Sequence, residues 1–235
     1  MKSYLVSGLA CGLVIAAASA VEKSELTTPK QRTSYSLGAN IGGNLKRQVA
    51  DLDLDAKMLA AGVADALAGK SALSETEIEE ALGAFQKEMQ DKAQARQKAE
   101  GEANARKGEA FLAANAKKDG VKTTASGLQY KVLKTGTGKS PKATDIVKVH
   151  YHGTLIDGTV FDSSVQRGEP VSFPVEGVIP GWVEALQLMK EGDKWQLVIP
   201  AKLAYGEQGA GGPIGPNSTL IFEVELLTIE SNPPQ

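Results

Sequence analysis

The spacing of apolar positions divides the chain into two grammars. Leu37, Ile41, Leu45 and Val49 recur every four residues and predict a helix over 28–49 with one apolar stripe, and Gly38 and Gly42 fall on a nearby face. An interior glycine costs a helix about 1 kcal/mol relative to alanine, so this pair predicts a close approach to another helix backbone. Met58, Leu59, Val63, Ala66 and Leu67 predict a second helix, capped by Asp53 or Asp55 and stopped by Gly69. Ser74-Glu75-Thr76-Glu77 fits a capping box, and from it a helix-compatible stretch of about 44 residues, or ~65 Å, runs to Lys118. Ile78, Leu82, Phe85 and Met89, spaced by four and three, predict a buried or coiled seam. Between Asp91 and Arg106 the apolar content falls to alanine, so the middle of this helix is expected to face water, with Gly101 and Gly108 as bend points and Phe111 and Leu112 resting on whatever follows.

From Ser126 the period switches to two. Leu128, Tyr130 and Val132 alternate with Gln129, Lys131 and Leu133; over 145–155, Val147, Val149, Tyr151, Gly153 and Leu155 share one face and Lys148, His150, His152 and Thr154 the other. Asp157-Gly158 supplies a hairpin turn. Further strands are predicted near 159–162, 171–174, 194–200 and 219–229, with one short helix over 181–189 whose Trp182, Ala185, Leu186 and Met189 lie on one face. The class is α+β: an all-helical N-terminal region, a long connecting helix, and a C-terminal antiparallel sheet wrapped around one short helix.

Residues 1–20 read as a secretory signal. Lys2 leads an apolar run shorter than the ~20 residues of a membrane span, closing on the small-x-small pattern Ala18-Ser19-Ala20, and Cys11 is poorly placed for lipidation. The remaining divisions are a helical dimerisation domain over 21–73, a connecting helix over 74–120 and a β-rich domain over 121–235. The short helices bury little by themselves, which favours pairing with a second copy of the chain over an intramolecular hairpin.

Composition narrows the chemistry. The 235 residues carry 26 basic and 28 acidic side chains with no basic block, which excludes a nucleic-acid binder. One cysteine and two histidines leave little for zinc clusters, disulfides or a nucleophile–base pair, and His150 and His152 share a strand face without a third ligand, so no metal and no cofactor are expected. Asn217-Ser218-Thr219 reads as turn chemistry rather than a glycosylation acceptor, and the five glycines of 206–215 read as a flexible loop because a phosphate loop would need its lysine. No proline occurs between 30 and 140, whereas eight of the twelve aromatic residues lie after 120. Six of them, Tyr151, Phe161, Phe173, Trp182, Tyr205 and Phe222, fall in six different predicted elements. Core filling accounts for aromatics in a β-rich domain. Here several also carry polar handles and flank the entry to the short helix, which is the pattern of a pocket lining.

Five segments in order, Val149-His150-Tyr151, Gly158-Thr159-Val160-Phe161-Asp162-Ser163-Ser164, Val178-Ile179-Pro180-Gly181-Trp182, Leu203-Ala204-Tyr205-Gly206 and Thr219-Leu220-Ile221-Phe222, resemble the signatures of FKBP-type peptidyl-prolyl cis-trans isomerases over about 125–230. The helical region, with Tyr35-Ser36-Leu37-Gly38 and Gly108-Glu109-Ala110-Phe111-Leu112, is similar to the dimeric macrophage infectivity potentiator group of secreted bacterial members. The resemblance implies pocket walls at Tyr151, Phe161, Phe173, Tyr205 and Phe222 and a floor at Trp182. It also implies a carbonyl-binding N–H at Ile179, an acid at Asp162 with Arg167 as its partner, and an apolar rim at Val178 and Ile214. Val171 departs from the pattern, standing where many members carry a second aromatic. The implied partners are proline-containing unfolded or surface polypeptides, a second copy of the chain and macrolide ligands, in the periplasm and in peripheral association with the outer membrane. Isomerisation needs no acid, base or metal, since an apolar niche favours the twisted amide over the planar one. The alternative is a dimeric holdase that uses the isomerase fold as a grip.

Overall fold

The computed structural model describes residues 21–48 and 54–230; the signal segment, Val49 and Asp53 lie outside the described residues. Two compact units divide between Ser74 and Glu75.

In the first unit, α1 (Pro29–Gln48) starts behind a reciprocal cap in which Thr28 Oγ1 accepts from the Gln31 N–H and Gln31 Oε1 from the Thr28 N–H. For α2 (Ala56–Leu67), Asp55 supplies the cap, accepting from the N–H groups of Lys57 and Met58. Gly69 follows it at φ +66°, a left-handed stop. Among the described residues these helices bury no side chain fully: Leu45 is half-buried, while Leu37 is 61% exposed, Ile41 60%, Met58 59% and Leu67 85%. Among the described residues of one chain the close approach expected at Gly38 and Gly42 is not made, because a Cβ built on either meets nothing within 4 Å.

The second unit opens with α3 (Glu75–Asn115), unbroken over 41 residues. Its seam is open at the start, with Ile78 37% and Leu82 60% exposed, and half-buried at Phe85 and Met89. The water-facing stretch is shorter than expected, because Gly101 and Gly108 are buried. They are contact points rather than bends. A Cβ on Gly101 would lie 3.1 Å from Pro216 Cβ, and one on Gly108 would overlap Thr219 Oγ1. The helix end is fastened by the buried Asn115, whose Nδ2 donates to Gln129 Oε1 at 2.9 Å, while Gln129 Nε2 donates to the Leu112 carbonyl.

Strands β1 (Val121–Thr123), β2 (Gln129–Lys134), β3 (Ile146–Leu155), β4 (Val160–Ser163), β5 (Val171–Pro174), β6 (Lys194–Ile199) and β7 (Leu220–Glu230) form one antiparallel sheet in the order β1-β2-β6-β7-β3-β4. Strands β4 and β5 share one edge of β3, pairing with opposite ends of it, and the four-residue α4 (Ser164–Arg167) fills the interruption. Helix α5 (Pro180–Leu188) completes the unit. The core has the predicted parity: Val147, Val149 and Tyr151 of β3 are buried, and so are Trp182, Ala185, Leu186 and Met189 along α5. Gly181 allows α5 to sit this low, since a Cβ there would lie 2.5 Å from Ile199 Cγ2.

Candidate active site

Trp182 is where the aromatic residues meet. Pro180 at the first position of α5 presets the helical φ, Ile179 acts as the N-cap residue, and the Trp182 N–H donates to the Ile179 carbonyl at 2.8 Å. The indole ring meets Tyr151, Phe173 and Phe222 edge-on, with centroids 5.5, 6.0 and 5.2 Å away and interplanar angles of 82°, 82° and 80°. Phe161 meets Phe222 in the same way at 5.3 Å. Positive ring edges facing negative ring faces hold such a cluster in one arrangement. Gly153, which pairs with Phe222 across β3 and β7, makes room for it: a Cβ there would lie 2.6 Å from Phe161 and 2.9 Å from Phe222.

These rings enclose one side of a cavity of about 700 Å³. All the sequence-predicted residues except Arg167 line it: Tyr151, Phe161, Asp162, Phe173, Val178, Ile179, Trp182, Tyr205, Ile214 and Phe222. Gly177, Ala210, Gly211 and Pro213 also contribute and were missed. The last three belong to the glycine-rich segment expected to be a flexible loop. Its hydrogen bonds give it a defined form: Ala210 N–H to Ile214 O, Ile214 N–H to Gly211 O and Asn217 N–H to Gly206 O. The signal available for them was the family order of motifs, which places this segment just after Tyr205.

A phenol, a carboxylate and a guanidinium meet beside the rings. Tyr151 Oη donates to Asp162 Oδ2 at 2.5 Å. Arg167 stands beside the cavity, donating to Tyr151 Oη at 2.8 Å and pairing with Asp162 Oδ1. Burial pushes the Asp162 carboxyl upward, but the hydrogen bonds from Tyr151 and Arg167 and the guanidinium charge outweigh it and hold the group below the usual carboxylate range. The Tyr151 phenol is displaced upward, by burial first and then by its bond to Asp162, with Arg167 opposing. Ile179 lines the cavity as well, and among the described residues no acceptor pairs with its N–H.

Behind Tyr151, the fully buried Ser164 Oγ accepts from the Tyr151 N–H at 2.8 Å and donates to the Tyr151 carbonyl at 3.2 Å. His150 Nδ1 lies 3.1 Å from Ser164 Oγ and His152 Nδ1 3.0 Å from Ser163 Oγ. The two histidines thus contact the Ser163-Ser164 pair at the end of β4. This support was not legible in the sequence, because α4 is too short to show a period.

Such a niche, walled mainly by aromatic and apolar side chains and also lined by a carboxylate, a phenol and a residue whose backbone donor is unpaired, defines a protein that grips a peptide and reshapes it without covalent chemistry. The family model for FKBP-type peptidyl-prolyl cis-trans isomerases matches residues 137–227, and that for the domain amino-terminal to such isomerases matches residues 30–132. An outer membrane protein MIP from Legionella longbeachae is 46% identical, over 98% of this chain and 99% of its own length. An FKBP-type 22 kDa peptidyl-prolyl cis-trans isomerase from Escherichia coli is 50% identical over 87% of this chain and all of its own. The crystal structure of FkpA from Escherichia coli superposes with a TM-score of 0.76 at 46% identity, covering 88% of this chain and 99% of that one. The chain belongs to the FKBP-type peptidyl-prolyl cis-trans isomerases, and its activity is the isomerisation of X-Pro bonds.

Proposed function

We propose that the aromatic cavity is where the X-Pro bond is twisted. Trp182 and Phe222 pack the proline ring, with Phe161 and Phe173 as walls and Val178 and Ile214 as rim. Tyr151 and Asp162 orient the amide, held by Arg167; Tyr205 and the Ile179 N–H hold the carbonyl side. Planar amides are stabilised by charge separation that twisting removes, so a water-poor wall favours the twisted form. Bringing a process of about a hundred seconds to milliseconds takes about five decades, or ~7 kcal/mol, to be shared among desolvation, ring clamping and one carbonyl hydrogen bond. The observation that carries this reading is the edge-to-face cluster on Trp182 opening into a 700 Å³ cavity that Tyr151 and Asp162 also line. The test is a protease-coupled proline tetrapeptide assay on Asp162→Leu and Tyr151→Phe. Slowed isomerisation with intact circular dichroism supports these roles, and unaltered rates in both variants overturn them.

We further propose that a second copy of the chain covers the apolar stripes of α1 and α2. The exposure of Leu37, Ile41, Met58 and Leu67 within one chain supports this. The substrates proposed are exported proline-containing polypeptides, met in the periplasm or at the outer membrane. No helix among the described residues is long and apolar enough to cross a membrane.

A further inference from the structure

Helix α3 does more than lead into the catalytic domain. Gly101, Asn104 and Gly108 are spaced by three and four and so lie on one face of it. Each of them meets the segment between Tyr205 and β7. Asn104 Nδ2 donates to the Pro216 carbonyl at 2.9 Å across a separation of 112 residues. Asn217 Nδ2 donates back to the Gly101 carbonyl at 3.4 Å. Gly108 has no room for a side chain because of Thr219, and at Gly101 one would press on Pro216 and Asn217. Gly215 lies equally close to Glu100 on the same helix.

This segment has two sides. Ala210, Gly211, Pro213 and Ile214 line the proline cavity. The next residues, 215–219, are those that α3 holds. Asn217 is the one non-glycine among the described residues with positive φ, at +52°, and its N–H closes the segment on the Gly206 carbonyl at 2.9 Å. A left-handed asparagine is tolerated when its side chain is engaged locally, and here it is engaged by the helix. Nearer the start of the segment, Glu207 and Gln208 stand off from Gln97 and Lys98 across a cleft of about 350 Å³. The grip is therefore concentrated on the residues adjoining Ile214.

We propose that the Gly101–Asn104–Gly108 face of α3 is a positioning element of the active site, setting how close the 210–214 wall stands to Trp182 and thereby the substrate affinity and selectivity of the cavity. Asn104 touches no substrate; it acts through Pro216 and Ile214. The inference rests on the cavity being the site of catalysis, and the experiment separates the two.

In the full-length protein, KM and kcat are measured on proline tetrapeptides carrying leucine or glutamate before proline, for Asn104→Ala, Gly108→Ala, Gly108→Ala with Thr219→Ala, and Asp162→Leu. A partly unfolded sample lowers kcat for both peptides alike and leaves KM unchanged, so KM and the ratio between peptides report the wall. The expected result is a KM raised about 3- to 10-fold by Asn104→Ala and Gly108→Ala, with kcat within about twofold and a shifted leucine-to-glutamate ratio. Thr219→Ala, which removes the Oγ1 that an alanine at 108 would overlap, should bring KM back towards wild type. If Gly108→Ala does not fold, Asn104→Ala carries the test alone. Unchanged KM and ratio in folded Asn104→Ala, beside a slowed Asp162→Leu, overturn the positioning role only. An unslowed Asp162→Leu, with Tyr151→Phe unslowed as well, overturns the reading of the cavity itself.

Discussion

The Tyr151 hydroxyl donates to Asp162 at 2.5 Å, and the Arg167 guanidinium bonds both members of the pair. The three groups come from β3, β4 and α4, so the arrangement depends on β4 ending where Ser163 can cap α4, its side chain accepting from the Gln166 N–H. Removing the phenol oxygen leaves the Asp162–Arg167 pair; removing the carboxylate leaves a cation beside the phenol. We expect Tyr151→Phe and Asp162→Leu each to lower kcat/KM on the order of tenfold, since each deletes a hydrogen bond to a charged group. Steady-state kinetics on a tetrapeptide check this, and wild-type values would remove both groups from the mechanism.

The same triangle fixes the pH response. Asp162 titrates below its ordinary value of 3.8, because the bonds from Tyr151 and Arg167 outweigh its burial. What its charge contributes is present above 3.8 and is lost as pH falls through the lower folded-state value. Tyr151 titrates above 10.0, so what its proton contributes is full below 10.0 and is lost as pH rises through the higher folded-state value. Isomerisation followed by NMR exchange should be level from roughly pH 5 to pH 9. In Asp162→Leu the alkaline fall should move to lower pH, since the carboxylate that raises the phenol is gone and Arg167 remains. A sloping profile across neutrality contradicts this account.

Gly153 offers a test that changes no functional group. An alanine methyl there would lie 2.6 Å from Phe161 and 2.9 Å from Phe222, so one ring must move into the cavity. We expect Gly153→Ala to cost about 1–3 kcal/mol of stability by overpacking and to lower kcat/KM by more than Asp162→Leu does. Chemical denaturation and the tetrapeptide assay together decide it; a stable variant with wild-type kinetics would show that the two rings are not held against Gly153.

The alternation of β3 was enough to place Tyr151, Val149 and Val147 on the inner face, and the one-sided apolar spacing of 182, 185, 186 and 189 was enough to place α5 beneath them. What periodicity does not carry is the meaning of a glycine. Gly101 and Gly108 have the spacing of a helix face, but whether that face opens on solvent, on a bend or on a neighbour depends on Pro216 and Thr219, more than a hundred residues later. Short elements escape for a related reason: β1 has three residues and α4 four, little more than one period of either pattern and too few to show a repeat. The lining residues Ala210 and Gly211 carry no distinctive side chain, so only the hydrogen-bonded shape of their loop brings them to the cavity.

The stripe on α1 leads to the last prediction. Leu37 and Ile41 lie one turn apart, about 60% exposed, and beside them Gly38 and Gly42 leave a smooth surface, where a built Cβ meets nothing within 4 Å among the described residues. Glycines on a helix face let a second backbone approach closely, and two such faces meeting about a two-fold axis bury what one chain leaves open. We expect Leu37→Asp with Ile41→Asp to yield a monomer by light scattering, because each substitution would place a charge in an apolar contact. Tetrapeptide kcat/KM should stay within about twofold, since the cavity is lined wholly by residues of the second unit. Suppression of aggregation of an unfolded client should fall with the dimer if the helices also cradle chains, and should persist if the isomerase cavity is the only grip. A double-aspartate protein that remained dimeric would place the interface elsewhere than on α1.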